Sequence, residues 1–205
     1  MKHTFNHCPA TLQVAHAIFL LLCSGLSHAH SGEGIFGSFL AGFMHPVSGL
    51  DHLLAMVAVG IWGATLGRPL LLTLPIVFPM LMVVGGVLGI ANVPLPYIEP
   101  GIAMSVVVLG LAIAAAWRAP VAVTVAIVAV FGIFHGFAHG KELPESAAPA
   151  AYAAGFVICT GLLHLIGIAL GALKALPRGM QILRASGALI AATGVWILVG
   201  MPDVA

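Results

Sequence analysis

The stretch HPVSGLDHLLAM, residues 45–56, sets two histidines and an aspartate inside an apolar run long enough to cross a bilayer. An ionisable side chain at that depth costs at least about 2.5 kcal/mol on insertion scales. His45, Asp51 and His52 therefore need a use that offsets this cost. Composition shows that the run belongs to a membrane and not to a soluble core. Of 205 residues, 61% are hydrophobic and only 6% charged, with mean hydropathy +1.15. Soluble domains are usually about 25% charged. The expected fold is all-α, a polytopic membrane helix bundle forming one transmembrane domain with no soluble domain attached. A net charge of +1, without a basic patch or basic–aromatic interleave, argues against a nucleic-acid partner.

The N-terminus reads as a signal peptide over residues 1–29. Lys2 and His3 give a weakly positive start, residues 17–26 (AIFLLLCSGL) form a short apolar core, and Ser27-His28-Ala29 supplies a small-x-small cleavage pattern. That core is about ten residues long, whereas a spanning helix needs about 20, so an uncleaved first helix is the weaker reading. Cleavage after Ala29 leaves a domain over residues 30–205. It removes His3, His7, His16 and His28 from the ten histidines, leaving six. It also removes Cys8 and Cys23, so Cys159 stands alone as a small hydrophobe with no disulfide possible.

Hydropathy read over about 19 residues gives six expected transmembrane helices, at 34–66, 69–91, 97–117, 119–140, 148–173 and 181–200. The first is too long for a straight span and contains Pro46 and Gly49, so a break is expected near Pro46–Gly49. Gly132, Gly136 and Gly140, four residues apart, suit close helix packing. Export places the mature N-terminus in the periplasm. Arg68, Arg118, Lys174, Arg178 and Arg184 then fall in inner loops and Lys141 alone in an outer one, as the positive-inside rule requires. Glu33, Glu99, Glu142, Glu145 and Asp203 fall at or near the outer face, where an acidic vestibule would concentrate cations. Glu145 reads equally as a solvated loop charge, and Asp203 reads more readily as one.

A second cluster, FHGFAHGKE at 134–142, carries His135, His139 and Glu142 at i, i+4 and i+7, one narrow stripe of a helix. Two imidazoles and a carboxylate on a stripe make half a metal site. His45 and His52 are seven apart, also on one face, with Asp51 beside them. His164, among leucines and an isoleucine in the fifth span, is either an accessory ligand or a hydrogen-bonded core histidine. Imidazole with carboxylate and no thiolate suits Ni²⁺, Co²⁺ or Zn²⁺ better than Cu(I), and Mg²⁺ and Ca²⁺ prefer all-oxygen shells.

HPVSGLDH followed by FHGFAHGKE, on a six-span chain behind a signal peptide, resembles the HupE/UreJ family of hydrogenase- and urease-associated nickel permeases. The resemblance covers essentially the whole mature chain. It implies secondary uptake of Ni²⁺, or in some members Co²⁺, across the inner membrane of a Gram-negative bacterium, with metal as cargo and no cofactor. The larger nickel/cobalt transporter family is more distant: its motif has four residues between the first His and the Asp, whereas this chain has five, Pro46 to Leu50. On this reading the metal ligands are His45, Asp51, His52, His135, His139 and Glu142.

Two other functions compete. An intramembrane zinc metallohydrolase needs an activated water and a general base. Here HGFAH lacks the glutamate of HExxH, and Ser48 sits in no nucleophile elbow. A membrane metallochaperone would bind the ion without moving it. No phosphate-binding loop is present, so this chain hydrolyses no ATP. Cleavage after Ala29 would leave His30 with a free α-amine beside its imidazole. That pair could capture metal at the mouth with help from Glu33 and Glu99, unless His30 is an accident of a mobile terminus.

Overall fold

Without water to take up backbone N–H and C=O groups, an apolar chain folds as helices, which satisfy them internally. The computed structural model describes residues 34–143 and 147–201. The expected signal peptide, its cut after Ala29, and His30, Glu33, Glu145 and Asp203 lie outside them. Among the described residues there are seven α-helices and no strand: α1 (Ile35–Ser48), α2 (Leu50–Leu66), α3 (Leu70–Ile90), α4 (Ile98–Ala114), α5 (Val121–Lys141), α6 (Pro149–Gly171) and α7 (Gly179–Val199). A 3₁₀ turn, Ala172–Ala175, extends α6.

Each expected span holds a helix, but the six differ in kind. α3, α5, α7 and the extended α6 are long and apolar enough to cross a bilayer, making four spans, or five if α1 and α2 count as one. α4 has 17 residues, about 26 Å at 1.5 Å per residue, against a hydrocarbon core of about 30 Å. The first segment is the larger departure, because α1 meets α2 at 80°. The turn is made at Gly49, whose φ of −102° and ψ of 123° are extended, while Pro46 stays within α1. The Ser48 hydroxyl donates to the His45 carbonyl at 2.7 Å, taking up one acceptor left open by the helix end.

Two devices set the packing. On the α3–α5 seam, a Cβ at Gly136 would fall on the Met82 carbonyl oxygen, and one at Gly140 on that of Gly86. Only glycine permits that approach, which holds the helix carrying His135 and His139 against the one carrying Phe78. At the end of the bundle opposite the histidines, Lys174 Nζ donates to the carbonyls of Ala64 and Thr65, and Arg184 Nε to that of Ala114 at 2.8 Å. These are last-turn carbonyls of α2 and α4, so the basic residues that mark one face also cap its helices. The core runs through Met56, Val59, Trp62, Leu74, Phe78 and Leu109, and Cys159 is buried beside it. Ile76, Met80, Val83 and Val87 lie on the outer side of α3, where a bilayer would solvate them. The molecule is a multi-pass membrane helix bundle.

Candidate metal site

The bend at Gly49 builds the site. In a straight helix, residues seven apart are separated by about 10.5 Å along the axis. Here the rings of His45, in the last turn of α1, and His52, in the first turn of α2, are 6.1 Å apart. α5 then supplies His139, whose ring centroid is 4.6 Å from that of His45 and 4.6 Å from that of His52. One turn deeper, His135 lies 4.7 Å from His52. The result is a row of four imidazoles, His45–His139–His52–His135, drawn from three helices.

The carboxylates join this row differently from the sequence expectation. Glu142 caps α5 and turns back toward the mouth, with Oε2 3.2 Å from His45 Nε2 and 4.0 Å from His139 Nδ1. One ligand atom each from His45, His139 and Glu142 lie within 4.8 Å of one another, a set that could hold one divalent ion. His135, expected on the same stripe as Glu142, stands deeper and apart from this trio.

Asp51 does not join the trio either. Its Oδ1 accepts from the His52 backbone N–H and from His52 Nδ1–H, both at 2.7 Å. Asp51 sits in the first turn of α2, where open N–H groups and the helix dipole favour an anion. By holding Nδ1–H, it leaves His52 Nε2 as the lone-pair donor, as a carboxylate behind a metal-binding histidine does. Gly49 makes room for this pair: a Cβ there would lie 2.8 Å from Asp51 Oδ1 and 3.2 Å from His52 Nδ1.

The inner end is dry. His135 is fully buried, with Nε2 2.9 Å from Ser105 Oγ. Beyond it stands Phe78, 5.4 Å from the His135 ring and 5.6 Å from that of His164. His164, on α6, is buried there as well. A stripe of α6 at four-residue spacing flanks the outer part of the row and continues inward to Met56. The Tyr152 ring is 6.0 Å from His45, Phe156 is 4.1 Å from His139, and the Thr160 hydroxyl donates to Met56 Sδ at 3.4 Å. Ser105, Phe78 and this stripe were not legible as site residues, because each alone reads as ordinary core. Glu99, in the first turn of α4, lines a cleft of about 500 Å³ with Glu142, Asn92 and Lys141 beside the mouth.

Buried polar atoms are nearly always paired, and an unpaired one costs about 1–3 kcal/mol. Yet His52 Nε2, His135 Nδ1 and both nitrogens of His139 and His164 have no hydrogen-bond partner among the described residues. A neutral imidazole offers one lone pair, and those of His52, His135 and His139, in neighbouring rings of one row, fit a site completed by a cation.

An apolar helix bundle with a row of imidazoles leading inward from a carboxylate defines a multi-pass membrane protein with an intramembrane polar site. The family model described as HupE / UreJ protein matches residues 18–197. The chain is 40% identical over 188 residues to Protein HupE of Rhizobium leguminosarum bv. viciae, an alignment covering 92% of this chain and 98% of that protein. This chain belongs to the HupE/UreJ family. No solved structure matches it.

Proposed function

We propose that the protein is a secondary permease of the bacterial inner membrane that takes up a divalent transition metal, Ni²⁺ or Co²⁺, to supply an enzyme such as hydrogenase or urease. One observation carries this reading: four imidazoles in ring-to-ring steps of 4.6, 4.6 and 4.7 Å, the inner three with nitrogens that have no partner among the described residues, run from an acidic mouth into a buried interior. Family membership supports it.

His45, His139 and Glu142 capture the ion where water can still exchange. The imidazoles then replace its hydration shell one ligand at a time, and the charges of Glu142 and Asp51 offset the cost of a +2 ion in low dielectric. Several partial sites in series let the ion leave each one, since an ion held too tightly cannot move on. Past Phe78, His164 receives it as an accessory ligand. The mouth faces the periplasm and the basic end the cytoplasm, with α4 and the bent α1–α2 pair completing six membrane elements. Residues 1–29 are removed as a signal peptide, and His30, with its freed α-amine, and Glu33 and Glu99 are accessory metal ligands.

The test is uptake of ⁶³Ni and ⁵⁷Co by a metal-starved host expressing the chain, with flux into metal-free liposomes as the purified counterpart. Accumulation of either isotope above the empty-vector level is expected. Metal binding without flux would reassign the protein as a metallochaperone.

A further inference from the structure

We infer that Ser105 is a positioning residue: it fixes the tautomer of His135 and makes Nδ1 the nitrogen that meets the metal ion. The assignment follows from two distances. Ser105 Oγ lies 2.6 Å from the Ile102 carbonyl oxygen and 2.9 Å from His135 Nε2. A serine hydroxyl has one proton. Two oxygens at 2.6 Å require that proton between them, so Ser105 donates to Ile102. If it donated to His135 instead, two lone-pair-bearing oxygens would face each other with nothing between.

With its proton committed, the hydroxyl can only accept from His135. Nε2 must then carry the hydrogen, and Nδ1 must be bare. Nδ1 is the ring nitrogen that has no partner among the described residues. Ser105 and His135 are both fully buried, so no solvent competes for either position. The carbonyl of Ile102, one turn back on α4, thus holds the hydroxyl, and the hydroxyl holds the ring.

The same device works on the facing ring through the opposite nitrogen. Asp51 holds Nδ1–H of His52 and leaves Nε2 bare, while Ser105 holds Nε2–H of His135 and leaves Nδ1 bare. Two rings 4.7 Å apart are therefore each presented as a lone-pair donor before any ion arrives. One partner is a carboxylate and the other a neutral hydroxyl. The deeper ring is oriented without a second charge in the dry interior, where charge is most costly.

The metal half of this inference rests on the permease reading; the tautomer half does not. The experiment therefore has two readouts on the full-length protein. The first is long-range ¹⁵N imidazole NMR of histidine-labelled, metal-free protein in detergent, with His135 assigned by His135→Gln. The wild type is expected to show a protonated Nε2 and a bare Nδ1, and Ser105→Ala to lose that single tautomer. The second is ⁶³Ni uptake. Outer partners of metal-bound histidines are typically worth about 10–100-fold, so Ser105→Ala is expected to lower uptake by about 10-fold or more at limiting metal. Ser105→Thr, which keeps the hydroxyl, is expected to restore both readouts. Should the alanine variant not accumulate, Ser105→Cys, slightly larger and only a weak acceptor, is expected to show the same loss of the single tautomer and of uptake. A bare Nε2 in the wild type would overturn the inference. So would a serine-free variant that transports like the wild type. Absence of uptake by the wild type itself would instead overturn the permease reading and leave the NMR result to stand alone.

Discussion

The mouth and the interior of the imidazole row are built on opposite plans. At the mouth, His45, His139 and Glu142 converge within 4.8 Å, with the Glu142 side chain half exposed. Neither ring has an orienting partner from deeper in the fold: His45 is met by Glu142, and His139 has no hydrogen bond among the described residues. In the interior, His52 and His135 are each held at one nitrogen, by Asp51 and by Ser105. The contrast is sharpest at the two ends, where the Glu142 and His45 side chains are partly exposed and His135 is fully buried, with His139 and His52 both nearly covered between them. Where solvent reaches, a flexible carboxylate and a loosely held ring can rearrange around a partly hydrated ion, and water fills any gap in the shell. Where solvent is excluded, a misoriented ring has no substitute, so its direction must be set beforehand. The mouth is suited to capture and exchange, the interior to transfer.

The variant expected to do most harm removes the ring that belongs to both regions. His139 is 4.6 Å from a mouth ring and 4.6 Å from an interior ring. His139→Ala should lower ⁶³Ni uptake by more than about 100-fold, above the range for losing an outer partner, because a ligand itself disappears. Near-wild-type uptake would show that the two regions do not communicate through this ring.

Next in size is Asp51→Asn. The amide can still accept from the His52 N–H at the start of α2, so the helix content seen by circular dichroism should hold. Without the charge, Nδ1–H of His52 is held only by a weaker neutral acceptor and the offset to a +2 ion is lost, so uptake should fall by about 10–100-fold or vanish. Unchanged transport would confine Asp51 to the first turn of α2, worth up to about 2 kcal/mol in a partly buried setting.

Gly49→Ala should have an intermediate effect. The φ and ψ at Gly49 are open to any residue, so the bend itself should form. The added methyl would press on Asp51 Oδ1 from 2.8 Å and spoil the pair behind His52. An uptake loss of about 10-fold is expected, at the low end for a disturbed outer partner. Metal captured at the mouth, read by equilibrium binding to purified protein, should change little. Equal losses in binding and uptake would mean that mouth and interior are one site.

Much of this was legible in the sequence, for physical reasons that also mark where legibility stopped. Ionisable residues in an apolar run announce themselves by their cost, so His45, Asp51, His52, His135 and His139 could be singled out without coordinates. Helical spacing gave the α5 stripe, and Pro46 with Gly49 gave the break. Spacing records a face, however, and not what that face meets. Nothing local to residues 45–52 says that the chain turns by 80° at Gly49, and that turn is what brings His45 to His139. Nor could a stripe show that Glu142 folds back to the mouth while His135 stays below. Ser105, Phe78 and Phe156 gain their roles only through neighbours on other helices. A serine or phenylalanine in an apolar helix carries no sign of it.

The smallest expected effect tests the claim that the mouth lacks orienting partners built into the fold. Tyr152 belongs to the mouth, with its ring 6.0 Å from that of His45. Its hydroxyl is buried and has no hydrogen-bond partner among the described residues. If nothing orients His45 through that oxygen, the hydroxyl is only a desolvation cost, and its loss relieves a penalty of the kind worth about 1–3 kcal/mol. Tyr152→Phe keeps the ring against α1, leaves the Gly42 contact with the Tyr152 backbone carbonyl intact, and removes one oxygen. Uptake of ⁶³Ni should match the wild type within about twofold, and thermal stability in detergent should hold or rise by up to about 1 kcal/mol. The opposite result would be informative. A drop in apparent affinity with unchanged maximal rate would make the Tyr152 hydroxyl a partner of the captured ion or of His45. The mouth would then be pre-oriented in the same manner as the interior, and the division between a loose capture site and a rigid transfer pair would fail.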